Sequence, residues 1–160
     1  MKCLYPGSFD PVTLGHRDVI SRAASMFEKV YVGVLYNPDK AGCFTVEERL
    51  DMLRECCADM PNVEIVSFSG LTVDLAAALE VQVLVRGVRN AADLESEMSL
   101  YRINHKLDAN VDTVFLPAAS GMEDVSSSVV KQLALFKGNA DMFLPPAAAK
   151  RVREKFSSKG

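Results

Sequence analysis

No two cysteines of this chain stand in a C-x-x-C arrangement. They are Cys3, Cys43, Cys56 and Cys57, and no His-x-x-x-His pattern accompanies them. A zinc site is therefore not expected. With 49% hydrophobic residues the chain has material for a core, so a disulfide scaffold is not expected either. The thiols read as small core hydrophobes in a reducing compartment. No apolar run approaches the ~20 residues of a membrane span. The opening Met1-Lys2-Cys3-Leu4-Tyr5-Pro6-Gly7 meets a turn too early to hold a signal peptide. Basic runs are also missing. Lysine and arginine are interleaved with acids, and the net charge is −3. Nucleic acid is thus not an expected partner, and an anionic substrate would have to be met by a few local cations. Repeats, low-complexity segments and linkers are absent. These absences leave a soluble cytoplasmic protein with one domain over residues 1–160. A chain of that length buries roughly 70% of its unfolded surface.

What is present is alternation. β-rich runs occur at residues 2–5, 30–36, 63–68, 83–86 and 113–116, several of them continuous Val/Leu runs suited to strands covered on both faces. Between them lie helical periodicities. Residues 16–28 place Val19, Ile20, Ala23, Ala24 and Phe27 on one stripe. Thr45-Val46-Glu47-Glu48 is a capping box that opens a helix with Val46, Leu50, Leu53 and Cys57 inward. Shorter or later helices are predicted over 72–79, over 91–107 with Leu94, Met98 and Tyr101 in register, and over 127–137. Gly138 stands at the helix C′ position. Pro145-Pro146 starts a last helix, and residues 151–160 read as a frayed tail. The pattern implies βαβ units and an α/β fold, a doubly wound five-stranded parallel sheet with ligands at the strands' carboxyl ends.

Three clusters carry candidate chemistry. Tyr5-Pro6-Gly7-Ser8-Phe9-Asp10-Pro11-Val12-Thr13-Leu14-Gly15-His16 leaves the first strand and enters a helix. It fits neither G-x-G-x-x-G nor G-x-x-x-x-G-K-[ST]. Its glycines allow close backbone approach, the helix start favours anions, and His16 can donate to a phosphoryl oxygen. On residues alone, Gly7 and Gly15 could equally be turns and His16 a surface residue. Val85-Arg86-Gly87-Val88-Arg89 places two guanidinium forks at a strand's carboxyl end. Val125-Ser126-Ser127-Ser128-Val129-Val130-Lys131 opens a helix with three hydroxyls, which suit N-capping as well as phosphate binding.

In order, these runs resemble the nucleotidyltransferase superfamily signature, and Thr13-Leu14-Gly15-His16 is of the T-x-G-H kind found in bacterial phosphopantetheine adenylyltransferases. The resemblance spans nearly the whole chain. It implies reversible transfer of the adenylyl group of ATP to 4′-phosphopantetheine, giving dephospho-CoA and pyrophosphate. It also implies a Rossmann-like fold, a Mg²⁺ requirement and a homohexamer. By the same resemblance, His16, Ser8, Lys40 and Arg86 serve catalysis. Ser8, Phe9, His16, Gly87, Val88, Arg89, Glu97, Met122, Glu123, Asp124, Val125, Ser126, Ser127 and Ser128 face ATP. Ser8, Lys40, Thr72 and Arg86 face the acceptor. The chain departs from the family at Gly121-Met122-Glu123-Asp124, where an aromatic residue and Ser-Phe are common, and at Ser96, where tyrosine is common. Acids beside a triphosphate are unfavourable without a cation, so Glu123 and Asp124 are expected to face solvent. The rivals are another adenylyl- or cytidylyltransferase and a non-catalytic nucleotide-binding module.

Overall fold

The computed structural model describes residues 1–158. Five strands form one parallel sheet: β1 (Lys2–Gly7), β2 (Lys29–Leu35), β3 (Val63–Phe68), β4 (Val83–Val88) and β5 (Asp112–Pro117). Their spatial order is β3-β2-β1-β4-β5. The helices are α1 (Leu14–Met26), α2 (Val46–Cys56), α3 (Thr72–Ala78), α4 (Ala91–Leu107), α5 (Ser127–Leu135) and α6 (Pro146–Ser157).

The period-two geometry of a strand divides the core in two. In β1, Cys3 and Tyr5 join a large cluster with Val19 and Ile20 of α1, Leu53 of α2, Val130 of α5 and Val152 of α6. Leu4 points the other way, joining Leu75 and Ala76 of α3 with Leu84 and Val111. β4 divides alike, with Val85 in the first cluster and Leu84 in the second. Both faces of the sheet are therefore covered, which explains the continuous apolar runs. Cys3, Cys56 and Cys57 are buried and form no disulfide.

Several boundaries differ from the sequence reading. β1 and β4 run through Gly7 and Val88, so the segments Tyr5-Pro6-Gly7 and Arg86-Gly87-Val88 are strand ends, not loops. The Thr45 capping box forms, with the Thr45 hydroxyl accepting from Glu48 N and the Glu48 carboxylate accepting from Thr45 N at 2.7 Å. At the end of α5 the left-handed residue is Lys137 (φ 59°), not Gly138. Gly138 N instead donates to Leu133 O at 2.7 Å and Lys137 N to Ala134 O at 3.2 Å, a Schellman arrangement with the glycine one place later than expected. α4 buries no large apolar side chain: Leu94 stays exposed, and the helix's buried residue is Glu97. Residues 151–157 are not frayed. α6 continues through Ser157 with Val152 in the core, and the remainder of the expected tail, 159–160, lies outside the described residues.

Candidate active site

The strand order reverses direction between β1 and β4: the chain winds outward through β2 on one side and through β5 on the other. Helices leave these two strands toward opposite faces, which opens a crevice at their carboxyl ends. An open cleft lies there. Ser8, Phe9, His16, Arg86, Gly87, Val88, Arg89, Glu97, Met122, Ser126 and Ser127 all line it. A second cavity shares Ser8, Arg86 and Glu97 with the cleft and adds Thr72, Tyr101 and Asn104. Arg86 and Glu97 thus border both spaces.

His16 is positioned by the start of α1. Thr13 is the N-cap, buried to 1% exposure, and its hydroxyl accepts from His16 N at 3.2 Å. The ring answers in kind: Thr13 N donates to His16 Nδ1 at 3.0 Å. This is a capping box with histidine in the place usually held by Glu or Gln. A ring nitrogen that accepts from an amide carries no proton, so the proton of the neutral imidazole sits on Nε2. Burial, reinforced by the Arg86 and Arg89 charges, pushes the imidazole pKa down to about 4. Near neutral pH, His16 is therefore an uncharged Nε2–H donor. Edge contacts hold the ring, with Phe9 at 4.9 Å between centroids. Phe9 is itself buried and has φ 47°, a left-handed backbone that sharply turns the chain between Ser8 and Asp10. At Gly7 a Cβ would stand 3.0 Å from the Phe9 ring, so that position admits no larger residue without displacing it.

Arg86 is more committed than its sequence suggested. Its Nε and Nη2 donate to the two Glu97 carboxylate oxygens at 2.7 and 2.6 Å, and Nη1 donates to Pro6 O. Those bonds occupy three of the five guanidinium N–H groups, leaving two for a ligand. Arg89 Nε lies 3.4 Å from Asp93 Oδ2, which also accepts from Arg89 N. At the far wall, Ser126 caps α5 by accepting from Val129 N at 3.2 Å. Ser127 Oγ donates to Pro11 O at 2.8 Å, which fastens the start of α5 to the Gly7-to-His16 loop. Two helix N-termini, one neutral imidazole donor and two arginines converge, an arrangement suited to a polyphosphate.

The remaining residues fall elsewhere. Glu123, Asp124, Val125 and Ser128 do not line the cleft. Glu123 is exposed and accepts from Gly121 N at 2.8 Å; Val125 is buried, beneath Gly15. Lys40 is exposed on the loop after β2, outside both cavities. The sequence reading missed the Thr13–His16 capping box, although threonine three residues before a polar side chain was its signal. It also missed the Arg86–Glu97 pair and the burial of Asp10 and Arg49.

Comparison with known proteins agrees with this geometry. The sequence model of the Cytidylyltransferase-like family matches residues 4–133. The phosphopantetheine adenylyltransferase of Clostridium kluyveri is 45% identical over 155 residues, covering 97% of this chain and 94% of that protein. The chain belongs to the phosphopantetheine adenylyltransferase family. The enzyme of that name from Symbiobacterium thermophilum is 46% identical, covering 98% of this chain and 97% of its own length. A nicotinic acid mononucleotide adenylyltransferase from Plasmodium falciparum, complexed with NaAD, superposes with a TM-score of 0.71 at 15% identity, over 96% of this chain and 94% of that one. At that identity the likeness speaks for the fold, the doubly wound sheet shared by these adenylyltransferases. Within the site the cations are paired with acids of the same chain, Arg86 with Glu97 and Arg89 with Asp93.

Proposed function

We infer that this chain transfers the adenylyl group of ATP to 4′-phosphopantetheine, yielding dephospho-CoA and pyrophosphate, the reversible step of coenzyme A biosynthesis. The observation that carries this reading is near-full-length identity of about 45% to enzymes of that name. The switch-point cleft supports it. In this reading an acceptor phosphate oxygen attacks the α-phosphorus of ATP in line, the bond to the bridging oxygen breaks, and pyrophosphate leaves with its electron pair. No covalent enzyme intermediate is needed, so positioning and charge stabilisation supply the rate. His16 Nε2–H donates to an α-phosphoryl oxygen as charge builds there. The two uncommitted Arg86 N–H groups and Ser8, bordering both cavities, hold the acceptor phosphate beside it. Arg89 and the amide ends of α1 and α5 hold the triphosphate. Lys40 approaches the acceptor phosphate from its exposed loop, and Thr72 lines the arm's cavity.

Mg²⁺ enters as the counter-ion of ATP. Among the described residues no group of His, Cys, Asp or Glu could cage a metal, and the cleft's Asp93 and Glu97 are already bound to arginines. ATP binding by Glu123, Asp124, Val125 and Ser128 is limited to backbone contact. A cytoplasmic setting suits the substrates, and among the described residues no helix is long and apolar enough to cross a membrane. A homohexamer is part of the reading, and the exposed Leu94, Leu100, Ile103 and Leu107 of α4 with Val114 of β5 offer an apolar face for it. Light scattering tests that assembly. Pyrophosphate release from MgATP tests the reaction: release only with 4′-phosphopantetheine present supports it, and release without an acceptor, or none with one, refutes it.

A further inference from the structure

Asp10 and Arg49 are ionic, 7% and 6% exposed, and unused by the reaction described above. Burying such a pair is costly and needs a return beyond the attraction of the charges. Their bonds show where it lies. Asp10, in the Gly7-to-His16 loop, accepts from Cys43 N and from Phe44 N, each at 2.8 Å, one on each carboxylate oxygen. Arg49 of α2 donates through Nε to Phe44 O at 3.0 Å and through Nη1 to Ser8 O at 3.2 Å. The two charged groups lie 3.8 Å apart, and Lys131 Nζ reaches to 3.9 Å of Asp10 Oδ2. Two hydrogen bonds thus join residue 10 directly to residues 43 and 44, and two more, made by Arg49, bridge Ser8 to Phe44.

The joined segments have different duties. Ser8 borders both cavities, whereas residues 43 and 44 end the exposed loop that carries Lys40. That loop has no regular structure to fix it between β2 and α2. Gly42 passes so close to the pair that a Cβ there would stand 2.6 Å from Arg49 Nη2 and 2.8 Å from Asp10 Oδ2. From outside, the Lys155 ammonium of α6 covers the buried Phe44 ring at 4.5 Å and bonds Glu48 at 3.1 Å.

We propose that the Asp10–Arg49 pair is a positioning device that locks the Lys40-bearing loop to Ser8, so that one rigid unit presents both to the acceptor phosphate. Neither residue touches substrate. The proposal rests on the acceptor role given to Lys40 above, and it assigns the pair to acceptor binding rather than to ATP. A fixed lysine meets the acceptor without first losing loop entropy, whereas a loose one must be ordered at each binding event.

Two variants perturb the pair differently. Gly42→Ala pushes a methyl group between the charges and leaves both present. The double variant Asp10→Asn with Arg49→Met removes both charges together, which avoids stranding one of them. In each, the acceptor KM should rise about tenfold, equivalent to about 1.4 kcal/mol, while the ATP KM stays within about twofold. Built into Lys40→Ala, the same changes should add less than about twofold, because the residue they position is gone. Equal rises in both KM values, or an undiminished effect in the Lys40→Ala background, would overturn the proposal. Lys40→Ala with an unchanged acceptor KM would overturn it as well. Hydrogen exchange at the Cys43 and Phe44 amides reads the lock without catalysis. Slow exchange in the parent and fast exchange in both variants is expected, and fast exchange in the parent refutes the lock. A parent that locks its loop but releases no pyrophosphate would count against the reaction, not against the lock.

Discussion

Replacing His16 by alanine removes two interactions at once, and the structure allows them to be separated. The first is the Nε2–H donor, which acts on charge that develops only as the α-phosphorus is attacked. Losing a donor of that kind costs about 2.7–4 kcal/mol, or roughly 10²–10³ in turnover, with little loss of ground-state affinity. The second is the acceptor at Nδ1 for Thr13 N, at 3.0 Å beneath a residue of 1% exposure. An amide orphaned there costs about 1–3 kcal/mol of folding stability. His16→Gln distinguishes the two, because glutamine completes a threonine capping box yet cannot place a donor where Nε2 stands. The expected pattern is low turnover in both variants, ATP KM within a few-fold, and stability recovered only by glutamine. Steady-state pyrophosphate release and urea denaturation supply the numbers. Turnover within about fivefold of the parent in either variant, equivalent to about 1 kcal/mol, would refute the transition-state role.

The imidazole's depressed pKa makes stability depend on pH. Between the folded value of about 4 and the ordinary 6.5, the unfolded chain binds a proton that the folded chain does not. Stability therefore rises with pH across that window and levels off above it, and His16→Ala should flatten that rise in urea titrations at pH 5 and 7.5. Arg86→Ala strands the mostly buried Glu97 carboxylate, so it should lower stability by about 3–5 kcal/mol, with Glu97→Gln restoring much of it in the double variant, read by thermal denaturation. The same substitution should weaken the acceptor more than ATP in calorimetric titrations. E123Q with D124N should leave ATP affinity within about twofold, since both side chains are exposed outside the cleft and screened by salt. Ending the chain after Lys150 removes Val152 from the core and should cost at least about 1.5 kcal/mol of stability, which denaturant titration would show.

Much of the fold was legible because its signals are local. Alternating apolar runs and helical stripes identified all five strands, and the Thr45 capping box announced the start of α2. Errors arose where long-range contacts decide. Residues 151–157 look polar enough to fray, but Val152 is held in the core and Lys155 reaches Glu48, far away in sequence. The apolar residues of α4 look like a core stripe because periodicity cannot say whether a partner covers them. Within the site, the family resemblance named most of the residues that gather at the β1–β4 crevice, together with some, such as Lys40 and Ser128, that do not line it. It was silent on how they engage each other, since Arg86–Glu97 and Asp10–Arg49 join segments distant in sequence. Lys40 shows the opposite limit: its loop is placed by those same distant contacts, and nothing in Asn37-Pro38-Asp39-Lys40 reveals them.

The fate of the adenylyl group decides which reaction the enzyme performs. ATP labelled at the α-phosphorus, incubated with the enzyme, Mg²⁺ and 4′-phosphopantetheine, follows that group directly. The label should appear in dephospho-CoA, in step with the acceptor consumed, while label placed at the γ-phosphorus should leave as pyrophosphate. Label found in free AMP, or a γ-label found on the pantetheine product, would contradict it.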